Sequence, residues 1–241
     1  PILFAMMAFV IGLSAGATVL VGQAWGAQDI TKVRQIVGAT LFMTLIGGTL
    51  IAFLGVVFAQ NILALLGIDP DIMHLSLPYV QWMLAGSPFL FIYIIYTSIL
   101  RGVGDSTTPL IASGLTIFVG LIITPVLIKG LFGFPKLGII GPAIATTCGF
   151  MSVLFFLYNY LKRKEHPLRL CPELIQNIRY QPELTRLILK LGIPTGVQMV
   201  TNSVAALVII GLINQYGSHA TAAYGAVNQV LNYIQFPALS I

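Results

Sequence analysis

Seven runs of about 20 or more mostly apolar residues follow one another along the chain, joined by short polar segments. A helix needs roughly 20 such residues to cross a bilayer core of ~30 Å, and few water-soluble folds have use for so many in succession. The runs cover residues 1–23, 36–66, 72–100, 110–132, 137–161, 184–214 and 221–241. Strands of a membrane barrel would alternate apolar and polar residues over ~10 positions, and these runs do not. The expected fold class is all-α, a polytopic transmembrane helix bundle. Composition agrees: 57% of residues are hydrophobic and 8% charged, against roughly 25% charged in an ordinary soluble domain. Mean hydropathy is +0.95. The chain opens directly in apolar sequence and stops in apolar sequence, so a fragment of a longer protein is expected.

A net charge of +5 would suit a nucleic-acid binder, but in a membrane protein Lys and Arg gather in cytoplasmic loops. The first, third and fifth joints carry ten basic residues: Lys32, Arg34, Arg101, Lys162, Arg163, Lys164, Arg169, Arg179, Arg186 and Lys190. The even joints carry two, Lys129 and Lys136. The odd joints are therefore assigned to the cytoplasm, and no nucleic-acid partner is expected. Cys148 and Cys171 differ in setting, one inside a run and one in the long polar joint, and imply neither a disulfide nor a metal site. That joint, broken by Pro167, Pro172 and Pro182, divides the chain. Residues 1–161 are expected to form one lobe of five spans, 162–183 an inter-lobe loop, and 184–241 the start of a second lobe. A short helix on the membrane surface is expected within 173–180.

Ionisable side chains inside a membrane are costly and usually functional. Deep in the seven runs there is no Asp, Glu, Lys or Arg, and His74 sits near the outer end of its run. Without a nucleophile, base and metal-ligand set in reach of one another, an embedded enzyme is disfavoured. The spans do carry neutral polar groups. Tyr224, Asn228, Asn232 and Gln235 recur at helical spacing on one face, with Gln229 beside them. Gln198, Thr201 and Asn202 make a similar stripe on the preceding run. Such amides need partners in lipid, so these faces are expected to turn inward. They would serve as interhelical hydrogen bonds or as the wall of a wet substrate chamber. Gln81, Tyr93, Tyr96 and Thr124 are candidates for the opposite wall.

The polar joints carry recognisable motifs. Val-Gly-Gln-Ala-Trp-Gly-Ala-Gln-Asp at 21–29 includes Gly22, Gln23 and Gly26; Leu-Arg-Gly-Val-Gly-Asp at 100–105 includes Arg101, Gly102, Gly104 and Asp105. In the second, the glycines permit a tight reversal and Asp105, Ser106 or Thr107 is placed to cap the next helix. Gly-Ile-Ile-Gly-Pro-Ala-Ile-Ala-Thr at 138–146 and Leu-Gly-Ile-Pro at 191–194, ending in Pro194, follow in order.

Together these motifs resemble the multidrug and toxic compound extrusion (MATE) family, with this chain standing as roughly the second to eighth of twelve helices. The resemblance implies a two-lobed antiporter in the plasma membrane, most naturally a bacterial inner membrane. It implies export of amphipathic or cationic small molecules by alternating access, in exchange for protons or sodium, with no cofactor. It also sets departures in view. One branch of the family has Asn and Asp four residues apart in its fifth helix, where this chain has Gly120 and Thr124 before Pro125. Another has a Glu in the seventh helix, where this chain has Asn202. The coupling carboxylate is then expected outside these residues. A flippase for lipids or lipid-linked oligosaccharides and a passive channel stand as alternatives.

Overall fold

The computed structural model describes residues 2–65, 70–130, 137–164, 166–169, 172–214 and 218–239. Its elements are helices: α1 (Ile2–Gly26), α2 (Ile30–Leu65), α3 (Pro70–Gly102), α4 (Thr107–Lys129), α5 (Gly141–Arg163), α6 (Pro172–Gln176), α7 (Pro182–Asn214) and α8 (Ser218–Leu239). A 3-10 turn, Gly138–Ile140, leads into α5. Among the described residues six helices are long and apolar enough to span a membrane: α1 to α5 and α7. The seventh expected run folds as α8, a helix of 22 residues. It is not among those six, because its polar groups dilute an otherwise apolar stretch.

Helix ends follow local chemistry. Asp29 accepts the Lys32 backbone N–H at 3.0 Å and opens α2. Asp105 does the same for α4, accepting Thr108 N–H at 3.0 Å, which returns one orphan donor of the first turn to a partner. At its other end α4 stops at Gly130, whose φ of 69° is left-handed and cheap for glycine. Inside the spans, hydroxyls turn back on their own helix: Thr40 donates to Ile36 O at 2.7 Å, Thr44 to Thr40 O at 2.8 Å and Thr116 to Ala112 O at 2.9 Å. This satisfies polar groups where no water is available.

The layout centres on α3, which packs against α1, α2, α4 and α5. Its Phe91, Ile95, Ile99 and Leu100 are fully buried, together with Ile36 of α2 and Leu157 and Leu161 of α5. The α4 helix instead exposes Leu110, Ile117, Phe118, Leu121 and Ile122, a surface suited to acyl chains and ill suited to water. Helices apolar on every side have no amphipathic stripe to read, so which face meets protein is settled by packing.

The long polar joint packs against the helices that precede it. The expected short helix is the five-residue α6, and it turns Leu174 into the core shared with α1, α2, α3 and α5. Leu168, ahead of it, is likewise fully buried, and its carbonyl accepts the Tyr96 hydroxyl. α6 packs on α2, where a Cβ on Gly38 would collide with Asn177. The segment is thus fastened to α2 and α3 before the chain enters α7. Cys171, Lys136 and the two chain ends lie outside the described residues.

Candidate functional site

Beyond α6 the chain crosses back, and α7 packs along α1. The antiparallel seam sets Ala8 against Gly196, Gly12 against Gly192 and Gly16 against Ile188. The approach is backbone to backbone: a Cβ on Gly12 would meet Gly192 O at 2.8 Å, and one on Gly16 would meet Ile188 O at 2.5 Å. Small residues at four-residue spacing on both helices make this possible, as in lipid-embedded helix pairs generally. Sequence reasoning passed over the seam although the Gly-x-x-x-Gly signal stands in both runs. Pro194 lies between the two α7 glycines, and α7 continues through it as helix.

Beside the seam opens a cleft of about 400 Å³ lined by Phe9, Leu13, Ile193, Val197, Val200 and Thr201, among others. Its wall is almost wholly apolar, because the Thr201 hydroxyl donates to Val197 O at 2.9 Å within its own helix. Gln198 and Asn202 are exposed on α7. α8 packs against α7 and, among the described residues, against no other element. Tyr224 and Asn228 are the α8 side chains, of those described, that are not exposed. Their face therefore turns toward α7. The side chains of Asn232 and Gln235 lie outside the description.

The candidates on α3 and α4 stand apart from this cleft. Gln81 is half-buried on α3. Tyr96 is buried, with its hydroxyl committed to Leu168. The hydroxyls of Tyr93 and Ser113 join α3 to α4 at 3.0 Å, and Thr124 is half-buried on α4. A separate cavity of about 240 Å³ lies between α3 and α5, with Tyr79, Ser87, Thr146, Thr147 and Phe150 among its lining. Ser87 donates to Leu84 O at 2.7 Å and Thr146 to Ala143 O at 2.9 Å. These hydroxyls keep acceptor capacity toward the space.

The motif joints come together at the other end of the bundle. Gly22 and Gly102 bring α1 and α3 close: a Cβ on Gly102 would meet Thr18 O at 3.0 Å, and one on Gly22 would meet Gly102 O at 3.3 Å. Thr18 donates across to Ser98 O at 3.2 Å, and Arg101 donates to Ser98 Oγ at 3.1 Å. Gln23 is exposed, and Gly26 has open space around it. Gly104 holds a φ of 85° in the tight reversal before Asp105. Burial alone would raise the Asp105 carboxyl, but hydrogen bonds from the Thr108 side chain and N–H, with the fields of His166 and Lys164, hold it below the usual carboxylate range. Burial pushes His166 down, against the opposing pull of Asp105. Among the described residues no group of three or more His, Cys, Asp or Glu is placed to hold a metal.

This architecture has known counterparts. The family model MatE matches residues 1–126. Over its whole length the chain is 39% identical to the probable multidrug resistance protein YoeA of Bacillus subtilis, covering 52% of that protein. It is 30% identical to the probable multidrug resistance protein NorM of Thermotoga maritima, over 96% of this chain and 49% of that one. Among solved structures, the outward-facing conformation of a MATE family transporter of the MOP superfamily superposes with a TM-score of 0.85. That match has 20% identity and covers 99% of this chain and 52% of the other. A MATE protein in its bent conformation gives 0.83, also at 20% identity, over 95% and 50% of the two chains. The chain thus spans about half the length of the relatives it matches.

Proposed function

We propose, from the premise that this chain belongs to the MatE family of membrane transporters, that the protein it spans exports drugs or toxic organic compounds in exchange for protons or sodium. Such a protein is a transporter and not an enzyme, and it is a multi-pass integral membrane protein. Its place is the plasma membrane, as the bacterial relatives suggest. Residues 1–161 belong to the first lobe, 162–183 form the linking loop, and 184–241 belong to the second lobe.

The observation that carries this reading is the seam of α1 and α7, where first-lobe and second-lobe helices meet backbone to backbone beside an apolar cleft of about 400 Å³. A smooth contact of small residues lets two lobes rock against each other without disengaging large side chains, and the apolar wall suits amphipathic cargo. Gln198 and Asn202 on α7, with Tyr224, Asn228, Asn232 and Gln235 on α8, supply hydrogen bonds to that cargo. Gln81 is the first lobe's share, while the Tyr96 hydroxyl is spent on the Leu168 carbonyl. A passive channel would need no opposing cation gradient, and a flippase would carry cationic residues in its cavity for lipid phosphate.

The test is efflux of a fluorescent organic cation from everted vesicles carrying the full-length protein, with proton and sodium gradients imposed separately. Export should follow one gradient and cease when it is collapsed. Flux that persists without either gradient would reject the antiporter.

A further inference from the structure

We propose that the first lobe carries a binding groove for an anionic phospholipid, between α2 and α5 on the side bearing the long polar joint. The helices α2 and α5 each pack on α3, but their backbones do not approach one another. The gap leaves an apolar cavity of about 260 Å³, lined by Leu41 and Leu45 of α2, Ile92 and Tyr96 of α3, and Leu154, Leu157 and Tyr158 of α5. Ile92 and Tyr96 form its floor. Its mouth is open, since Leu45 is 40% exposed and Tyr158 41%.

Three features select the occupant. The first is size: one turn of helix, ~10 Å wide and 5.4 Å in pitch, fills roughly 420 Å³, more than the cavity holds. A stretch of a single hydrocarbon chain fits within that space. The second is depth. Leu154, Tyr158 and Lys162 follow at four-residue spacing on one face of α5, so at ~1.5 Å per residue the groove runs about 12 Å inward from the Lys162 level. That is the reach of an acyl chain whose headgroup stays at the interface, where Tyr rings also sit.

The third is charge. Lys162 Nζ lies 5.8 Å from the centre of the Tyr158 ring, directly at the mouth. Arg163 and Lys164 follow it, both exposed. Lys164 lies over the Tyr160 ring at 4.7 Å, away from the lining residues, whereas the ring under Lys162 is Tyr158, itself part of the groove wall. An apolar slot ending in an exposed ammonium complements a lipid phosphate with net negative charge. A zwitterionic headgroup brings its own cation and gains less. One Lys near the membrane surface contributes about 1 kcal/mol toward anionic lipid, or about fivefold in affinity.

The experiment uses the full-length protein, delipidated in detergent and titrated with phosphatidylglycerol or phosphatidylcholine of identical acyl chains. Each lipid carries a photoreactive group near the chain end. Binding is read by native mass spectrometry, and crosslinked peptides locate the chain. Phosphatidylglycerol should bind about fivefold tighter, with crosslinks on the α2, α3 and α5 segments that hold Leu41, Ile92 and Leu154. Lys162→Gln should erase the headgroup preference and Lys162→Arg keep it. Leu45→Trp, at the exposed edge, should lower the crosslink yield for both lipids. Equal binding of the two lipids by the unaltered protein overturns the proposal. So does a preference that survives Lys162→Gln, or crosslinks confined to other helix faces.

Discussion

Gly12 of α1 and Gly192 of α7 lean on each other's backbone with no side chain between them. A Cβ on Gly12 would stand 2.8 Å from the Gly192 carbonyl oxygen, and one on Gly192 would strike the Gly12 carbonyl in return. Backbone cannot yield as the tip of a flexible side chain can. Gly12→Ala or Gly192→Ala should therefore destabilise the full-length protein by about 1–3 kcal/mol of overpacking. Gly114→Ala, which meets open space, should be neutral or stabilising, since Ala is the better helix former. Thermal unfolding in detergent compares the three. If the seam variants melt with Gly114→Ala, the helices do not touch as described.

Much of this fold was legible because the length of an apolar run reports the solvent it must face. Four-residue spacing puts Tyr224 and Asn228 on one side of α8, the side that is half-buried. Run length says nothing about which neighbour a lipid-soluble helix chooses, so the α1–α7 seam went unread. Gly12, Gly16, Gly192 and Gly196 passed for the glycine that membrane helices tolerate anyway, although their spacing was visible. The loop misled for a related reason. Leu168 and Leu174 are isolated apolar residues in a charged, proline-broken segment, which reads as surface; only tertiary packing shows them inserted in the first lobe. Gln81 and Tyr96 share a helix with the lobe's core, and sequence could not say that they stand apart from the α7 face.

The docked loop depends on Tyr96. Its hydroxyl donates to the buried Leu168 carbonyl, and Tyr96→Phe would strand that acceptor. A buried group without its partner costs about 1–3 kcal/mol. Limited trypsin digestion of the full-length protein should cut faster at Arg169 and Arg179 in Tyr96→Phe than in the unaltered protein. Unchanged cleavage would mean that Leu168 and Leu174 hold the loop unaided.

Protonation should loosen the same region. His166 is pushed below its ordinary value near 6.5 by burial, with Asp105 opposing and Lys164 reinforcing. The unfolded chain then binds the proton more readily than the folded one, so this site's stability is complete above about pH 6.5 and is lost as pH falls through the folded value. The backbone N–H of Leu168 donates to His166 Nδ1 at 3.2 Å, a bond that the doubly protonated ring cannot accept. The His166 ring resonances should titrate with a midpoint below 6.5, and trypsin cleavage at Arg169 should rise at mildly acid pH. A midpoint above 6.5 would show the ring to be more solvated, or Asp105 more dominant, than the structure has it.

Asn228 separates two meanings of the amide face on α8. It is half-buried on the side turned to α7, where it either ties the two helices or offers its amide to cargo. A neutral hydrogen bond contributes about 1 kcal/mol. If that bond goes to substrate, Asn228→Ala should raise the KM for efflux about fivefold in everted vesicles while the melting temperature holds. If it goes to α7, the melting temperature should fall with KM unchanged. Asn202→Ala is the companion measurement: the Asn202 side chain is exposed on α7, so its removal should leave stability within about 0.5 kcal/mol, and any change in KM must come from lost contact with substrate or coupling ion. Should neither variant move KM, the amides of α7 and α8 are not the chamber wall, and the cargo contacts lie on other helices.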